Sequence, residues 1–529
     1  MTKTLLIISF LLFAAHGFAQ YGNDDETGPL DPLEGLEYRV EGQGSFSGHE
    51  TPLWLNANKY GLSSLKATNG YLRTGVERSI DTDKDRKWGV GYGVDVALPF
   101  NYTSNFVVQQ AYAEGRWLHG ALTVGSKEYP MELKNNTLSS GSQTLGINAR
   151  PVPQVRLALS DYWTVPLTRG WLQLKGHIAY GWMTDADWQK DFTGKTDKYA
   201  EGVKYHSKAG YLRIGNEERF FPFSVELGLE MACIFGGTAY LPQSDGTMQE
   251  LKGETGFTSY WHAFKADGSD AGETTYTNCA GNTLGSWLMR MNWEEDNWRF
   301  SIYADKYFED HSAMFHLDRD GYKEGENWTD VSRKRFFFYD FKDWMLGAEF
   351  HIKYDNVINT VLFEFLSSKY QSGPIYHDHT MTIADHLGGV DDFYNHYMYP
   401  GWQHWGQVIG NPLYLSPVYN DDGSLEVKNN RFIAYHLGVD GRPTDQFRYR
   451  LLATYQEGWG TYHDPYHKKH HGVSCMVEGT YEFDDDTPLL DGWSARLAYG
   501  MDFGAIRGNQ WGLQFTVAKR GLFNKKKQP

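Results

Sequence analysis

Segments in which apolar and polar side chains alternate recur through almost the whole chain. In the run 447–451, for example, Arg448 and Arg450 occupy the polar positions between aromatic and aliphatic residues. A period of two is the pattern of a β-strand that has one apolar and one polar face. Eighteen segments show this pattern. Their predicted positions are roughly 36–46, 70–80, 88–98, 105–117, 120–129, 154–165, 170–183, 207–215, 223–237, 283–293, 298–308, 343–352, 358–370, 431–441, 447–460, 473–483, 492–503 and 510–521.

The length of the gap after a segment depends on whether that segment is odd- or even-numbered. Gaps after even-numbered segments are short, such as 118–119 and 442–446, whereas those after odd-numbered segments include all the long ones, up to 371–430. A barrel that crosses a bilayer has short turns on one rim and long loops on the other, which produces this parity. A soluble β-sandwich has no reason to produce it. The sequence therefore predicts an all-β fold, a transmembrane antiparallel up-and-down β-barrel of 18 strands, with short helices in its loops or plug.

Composition agrees with this fold class. Aromatic residues make up 16% of the chain, it contains 57 glycines, and its net charge is −16. The negative charge argues against a nucleic-acid partner. No segment after the N-terminus approaches the roughly 18 consecutive apolar residues of a transmembrane helix. Cys233, Cys279 and Cys475 are odd in number and widely spaced, which excludes a disulfide framework.

The N-terminus has the features of a secretory signal peptide. A basic start precedes the apolar run 5–13, and small residues follow before an expected cleavage between Ala19 and Gln20. Export and a barrel together predict the outer membrane of a Gram-negative cell. The predicted organisation is a signal peptide at 1–19, a periplasmic lead-in at 20–35, one barrel at 36–521 and a C-terminal tail at 522–529.

Three stretches carry a resemblance to a known family: "TPLWLNANKYGLSS" at 51–64, "LTVGSKEYPMELKNNTLSSGSQTLGINARPVPQVRL" at 122–157, and "YMYPGWQHWGQVIGNPLY" at 397–414. Here the chain resembles the Wzi-type capsule-assembly proteins of outer membranes, in the form found among Bacteroides-like bacteria. The resemblance implies an 18-stranded barrel with a small helical element near the periplasmic side. It also implies lectin-like attachment of capsular polysaccharide at the cell surface. The implied partners are that polysaccharide, outer-membrane lipid and the capsule export machinery.

The longest gap contains an aromatic-rich run, 391–415, that suits carbohydrate binding. Sugar rings pack their C–H faces on aromatic rings, while polar groups bond the hydroxyls. An equally good interpretation is that the same side chains pack this loop onto the barrel. Nearby glycines, including Gly401, Gly406 and Gly410, are interpreted as residues that shape the backbone. The candidate sugar contacts are Tyr394, Tyr399, Trp402, His404 and Trp405.

The residues of this loop also bear on two other chemistries, hydrolysis and metal binding. A glycosidase needs two opposed carboxylates, but Asp391 and Asp392 are adjacent and suit helix capping better, before a short helix that would end near Tyr397. The histidines match no strong metal motif, so a hydrogen-bonding cluster is favoured. No catalytic residue, metal or other cofactor is predicted, and the chain is not expected to be an enzyme. The histidine cluster comprises His377, His379, His386 and His396, with Asp378.

A second histidine-rich stretch, 462–472, falls in another odd-numbered gap, where a solvated surface loop is predicted. Separately, inward-facing Arg448, Arg450 and Arg496 are candidates to bind the carboxylates of an acidic polysaccharide, because guanidinium groups bind carboxylates in a bidentate manner. Acidic residues share that inward face. A lattice of ion pairs filling the lumen is therefore favoured over a continuous polyanion track.

Three functions remain open. The leading one is a non-catalytic outer-membrane lectin that binds and attaches capsular polysaccharide. The alternative is a gated porin or carbohydrate channel, since 18 strands are wide enough for one. The third is an outer-membrane hydrolase, although the chain has no Gly-x-Ser-x-Gly motif and no P-loop.

Overall fold

The structure is a computed structural model in which the great majority of the chain is described. The expected signal peptide at 1–19 lies outside the described part of the chain. The described residues are 30–216, 221–267, 280–309, 321–323, 325–333, 342–371, 375–377, 380–382, 387–388, 391–483 and 489–523.

Eighteen antiparallel strands form one closed sheet, numbered β1 to β18 in chain order. Each strand pairs with the next one, and β18 pairs with β1, from Glu37 opposite Leu522 to Ser47 opposite Gly512. The predicted barrel and its strand number are confirmed. The strands are Leu36–Ser47, Thr68–Arg78, Trp88–Phe100, Val107–Trp117, Gly120–Ser126, Gln154–Thr164, Leu172–Trp182, Lys204–Ile214, Phe223–Phe235, Asn282–Glu294, Trp298–Glu309, Met345–Ile352, Thr360–Ser367, Phe432–Gly441, Phe447–Gly460, Pro465–Glu482, Trp493–Gly504 and Gln510–Leu522.

The two rims of the barrel differ as the gap lengths predicted. The longest connections, such as 127–153 after β5 and 368–431 after β13, all leave the same rim, which we call the long-loop rim. The other rim, the short-turn rim, carries the brief connections together with the start of β1 and the end of β18. One prediction was wrong: β16 begins at Pro465, so most of the histidine-rich stretch lies on a strand. The hairpin extends this far because side chains of β15 support it: Lys469 lies 2.9 Å from Glu457, and the Tyr455 hydroxyl lies 2.7 Å from His471 Nδ1.

The outer face of the barrel is apolar and its inner face polar. On β18, Leu513 and Phe515 are exposed outward, whereas Gln514 between them is buried inside. Trp88 and Trp117 face each other at the short-turn ends of β3 and β4, with ring centroids 5.9 Å apart. Aromatic residues at strand ends are typical of a membrane interface. No helix in the described ranges is long and apolar enough to cross a bilayer.

Three short α-helices lie in the described parts of the connections: α1 at Leu53–Asn56, α2 at Ala186–Thr193 and α3 at Phe257–Lys265. A 3-10 turn, Ile80–Asp83, lies on the short-turn rim. No helix forms at 391–397, where one was predicted. The carboxylate of Asp392 instead accepts hydrogen bonds from the side chains of Asn395 and Asn430, which hold this segment as a turn.

Helix α3 covers part of the outer wall rather than the lumen. The hydroxyl of Tyr180, on the outward face of β7, donates a hydrogen bond of 3.0 Å to the carbonyl of Tyr260. His206, opposite Tyr180 on β8, packs against Phe264 with ring centroids 6.0 Å apart. The helix therefore shields polar outward-facing side chains near the long-loop rim, and its own Trp261 is half exposed.

Among the residues that the structure describes, three segments of the connections fold back into the lumen, and together they form what we call the plug: 48–67, 127–153 and 391–431. Leu53 in α1 donates its N–H to Asp502 of β17 at 2.9 Å. The ammonium group of Lys134 lies 2.7 Å from the carboxylate of Asp305 on β11. Acidic side chains on the inner wall thus bind the plug as well as wall arginines, such as Arg290 with Glu349 at 3.3 Å, and these ion pairs form the predicted lattice along the wall.

Candidate functional site

The aromatic-rich run forms the centre of the plug. Tyr394 stacks on Tyr414 with ring centroids 4.0 Å apart, and its hydroxyl donates to the carbonyl of Gln143. Trp402 donates its indole N–H to the carbonyl of Thr144 at 3.0 Å, while its ring stacks on Tyr205 of the barrel wall. These contacts join two plug segments to each other and to the wall.

His404 is held as a neutral imidazole in one orientation. Its Nδ1 lies 2.9 Å from the carbonyl of Arg150, to which it donates, and its Nε2 accepts the N–H of Thr184 at 3.2 Å. Burial lowers the pKa of His404, because a charged ring would lose its hydration there. Both ring nitrogens are therefore used by the protein.

Burial decides between the two interpretations of this run. Tyr394, Tyr399 and Trp402 are 0% exposed and His404 is 1% exposed, so none offers a face to a sugar. The prediction of direct sugar contacts is wrong for these four, and the packing interpretation is correct. Sequence could not show this, because the same aromatic pattern serves a loop on the surface or a loop inside the lumen.

The glycines of the run shape the backbone as predicted. Gly401 and Gly406 have φ of +91° and +79°, a region that favours glycine. At Gly410 a β-carbon would collide with the Tyr394 hydroxyl and the Gln143 carbonyl. Only glycine allows the two plug segments to approach so closely.

Trp405 is the exception among the predicted aromatic contacts. It lies with Gly406 at the tip of a two-residue hairpin, between Gln403–His404 and Gln407–Val408. Trp405 has φ of +56°, a conformation that two-residue hairpins normally give to asparagine or glycine. The backbone thus holds a large, half-buried ring at the tip of a turn on the long-loop side of the plug.

Two further aromatic rings lie beside this tip, and the three form what we call the rim aromatic cluster: Trp188, Phe192 and Trp405. Trp188 and Phe192 lie one turn apart on α2 and stack at 4.9 Å, and the centroid of Trp188 is 6.4 Å from that of Trp405. All three rings are half-buried, so each keeps part of its surface at the long-loop side. Sequence reasoning missed Trp188 and Phe192, although their spacing of four within a short helix was an available signal.

Arg150 supports the cluster from below. Its guanidinium lies 4.3 Å from the centroid of the Trp405 ring and donates to the hydroxyls of Ser104 and Thr103 at 2.9 and 2.8 Å. Burial lowers the pKa of Arg150 to about 10, which leaves it charged at neutral pH. A cation beneath the ring fixes the orientation of Trp405, whose ring stays half-buried beside Trp188.

The three predicted arginines lie far from this cluster, towards the short-turn rim. Arg448 is exposed and pairs with Glu482 at 3.0 Å. Arg450 and Arg496 share Glu478, at 3.2 and 4.0 Å. The structure therefore does not bring them together with Trp405 into one site. Arg450 and Arg496 instead line a cavity of about 240 Å³ inside the barrel.

Within the described part of the chain, no group of three or more histidine, cysteine or acidic side chains is arranged to hold a metal ion. His396 has a structural role, since its Nδ1 accepts the N–H groups of Met398 and Tyr399 at 3.1 and 3.2 Å. Three other members of the predicted histidine cluster, Asp378, His379 and His386, lie outside the described residues.

No family model and no curated protein matches the chain. Among solved structures, the chain is similar to Wzi, an outer-membrane protein involved in group 1 capsule assembly in Escherichia coli and described as a carbohydrate-binding β-barrel. The TM-score is 0.55 at 11% identity, covering 93% of this chain and 86% of that one. Pseudomonas aeruginosa OprD also matches, at a TM-score of 0.43 and 10% identity over 93% and 95% of the two chains. Acinetobacter baumannii OccAB2 gives 0.44 and 9% over 93% and 99%. At such identities the similarity to Wzi establishes the shared barrel fold.

Proposed function

We propose that this protein is an outer-membrane lectin that binds polysaccharide on its long-loop rim and helps to attach capsule to the cell surface. The observation that carries the proposal is the rim aromatic cluster. A half-buried tryptophan at a hairpin tip, in a backbone conformation unfavourable for it, is unusual unless its ring has a use. Flat aromatic faces beside polar groups are suited to pyranose rings. The likeness to a carbohydrate-binding barrel is consistent with this function.

An outer-membrane location is supported by the apolar outer wall and its aromatic ends. The long-loop rim would then face the exterior, as in barrels with short periplasmic turns. The capsule export machinery remains a candidate partner, because attached polymer must first be delivered across the same membrane.

We propose binding rather than transport. The plug is fixed to the wall at several separate strands, including β11 through Lys134 and Asp305 and β13 through the hydrogen bond from Ser139 to Glu364. Binding is also proposed over hydrolysis, because the carboxylate of Asp392 is engaged by two amide side chains and Asp391 adjoins it. A gated channel is the second candidate, and a steady current through the purified protein would favour it.

Binding of purified capsular polysaccharide to the detergent-solubilised protein tests the proposal. The variants Trp405→Ala and Trp188→Ala should weaken binding by roughly tenfold or more, the effect of removing one stacked aromatic ring. Tyr397→Ala is the matched control, because Tyr397 is an exposed aromatic residue of the same connection that is not part of the cluster. Equal binding by all four proteins would overturn the proposed site.

A further inference from the structure

A cavity of about 240 Å³ lies inside the barrel, beneath the plug. It is close to the short-turn rim, because Arg39, Arg450 and Arg496 each lie three residues from the short-turn ends of β1, β15 and β17. The volume is that of about eight water molecules at about 30 Å³ each. Its wall is strongly basic. The cations that line it are Arg39, Lys59, Arg73, Arg450, Arg496 and Arg520.

Two of these cations lie opposite each other where the barrel closes. Arg39 on β1 and Arg520 on β18 are cross-strand partners, and both face inward. Like charges placed directly opposite destabilise a sheet. Arg39 pairs with Asp95, whereas Arg520 has no carboxylate within ion-pair distance among the described residues.

The carboxylates around the cavity are too few to balance the cations. Glu41 and Glu128 line it, and Asp95 and Glu478 pair with its arginines, so four carboxylates face six cations. Glu478 alone serves both Arg450 and Arg496. When all six cations are protonated, the cavity therefore carries two more positive than negative charges.

The roof of the cavity belongs to the plug and is mostly polar, although Trp54, Ala57 and Leu62 also line it. Asn58, Lys59, Asn136, Thr137 and Ser139 line it from this side. The roof therefore offers hydrogen bonds as well as charge to a ligand below it. Lys59 is the cation that the plug contributes, and burial lowers its pKa to about 7.

We infer that this cavity is a binding site for an oxyanion group, a carboxylate or a phosphate, of a ligand that enters from the short-turn rim. Such a group fits because arginines bind both anions through paired N–H donors, and because it would neutralise the unbalanced charge. Arg520 is exposed at the mouth, where it meets an incoming anion first. The inference does not rest on the proposed function, because the rim aromatic cluster lies on the opposite side of the plug.

Calorimetric titration of the full-length protein in detergent tests the site, with inorganic phosphate, glucuronate and uncharged glucose as probes. At least one of the two anions should bind, and glucose should not. Preference for glucuronate would indicate the carboxylate of an acidic sugar as the natural group, and preference for phosphate a phosphorylated ligand. No binding by either anion, or equal binding by glucose, would overturn the inference.

Substitution locates the site. Arg520→Gln and Arg496→Gln should each weaken anion binding by about tenfold or more, the typical effect of one charge-assisted hydrogen bond. Arg442→Gln, on the 442–446 turn of the same rim but outside the cavity, is the matched control and should bind as the wild type does. Heat-dependent migration in gel electrophoresis checks that each barrel has folded. If both cavity variants fold and bind the anion as well as Arg442→Gln does, the cavity is not the site.

The two sites can be tested separately. Trp405→Ala should leave anion binding unchanged, and Arg520→Gln should leave polysaccharide binding at the long-loop rim unchanged. Loss of anion binding in Trp405→Ala would contradict an independent cavity site.

Discussion

Lys134 of the plug and Asp305 of strand β11 form an ion pair of 2.7 Å in which both side chains are buried. Asp305 also accepts hydrogen bonds from the N–H and side-chain amide of Gln143, at 3.3 and 3.2 Å. One wall carboxylate thus holds two positions of the same plug segment. A pair of this kind fixes the plug because separating it would leave a charge without a partner inside the barrel.

Lys134→Met should therefore destabilise the protein by about 3–5 kcal/mol, since it leaves the Asp305 charge buried and unpaired. Thermal unfolding followed by heat-dependent migration measures the effect. The double variant Lys134→Met/Asp305→Asn should recover most of the loss. A single variant as stable as the wild type would show that the pair does not hold the plug.

Replacing plug residues 131–147 with a short Gly–Ser linker should open the lumen. The wild type should show no steady current in planar bilayers, whereas the replaced protein should show a stable open state. The control is the same replacement of α3, residues 257–265, which covers the outer wall and should leave the protein closed. A large steady current from the wild type would favour the channel.

Trp405→Gly should separate binding from stability. Glycine relieves the left-handed backbone at this position, a gain of about 1–2 kcal/mol. The variant also loses the contact with Arg150, worth about 0.5–2 kcal/mol. Loss of the partly buried ring and of its indole hydrogen bond to Thr184 adds about 1–3 kcal/mol, so the variant should be destabilised by no more than about 3 kcal/mol while polysaccharide binding falls. A fall in stability alone, with binding intact, would assign Trp405 a purely structural role.

Gly410→Ala should loosen the plug, because the added methyl group meets Tyr394 and the backbone of Gln143. Overpacking of this kind costs about 1–3 kcal/mol. Gly42→Ala on β1 is the matched control, since a β-carbon there has no neighbour within 4 Å. Chemical denaturation of the two variants side by side measures the difference, and equal stability would count against the close approach.

Glucuronate should bind the internal cavity more tightly as the pH falls from 8 to 6. Its carboxylate stays ionised over this range, whereas Lys59, with a pKa of about 7, gains a proton and hence a positive charge. Lys59→Met should remove most of the pH dependence. A pH profile unchanged by Lys59→Met would show that another group is responsible. The groups that face Lys59 are Gln514, Glu41, Glu478, Arg450 and Arg496.

The barrel could be predicted because the signals for it are local in the sequence. The alternation of apolar and polar residues predicts each strand, and the length of each gap predicts the rim on which that connection lies. Strands such as β15, predicted at 447–460, agree with the structure to the residue. The site was less predictable because it depends on which loops fold inward. Trp402 and Trp405 lie three residues apart in one run, yet the first is fully buried against Tyr205 and the second is only half-buried at a hairpin tip. No periodicity distinguishes them. The unbalanced cavity likewise depends on cross-strand pairs, such as Arg39 and Arg520, that are brought together only when the sheet closes.

The most direct test measures the amounts of cell-attached and released capsule in a strain that lacks this gene. The strain is complemented with the wild-type protein, with the double variant Trp188→Ala/Trp405→Ala, or with Tyr397→Ala. We predict that the double variant releases capsule into the medium while total polymer is unchanged, and that Tyr397→Ala retains it as the wild type does. Full retention by a double variant that is folded and present in the outer membrane would contradict the account.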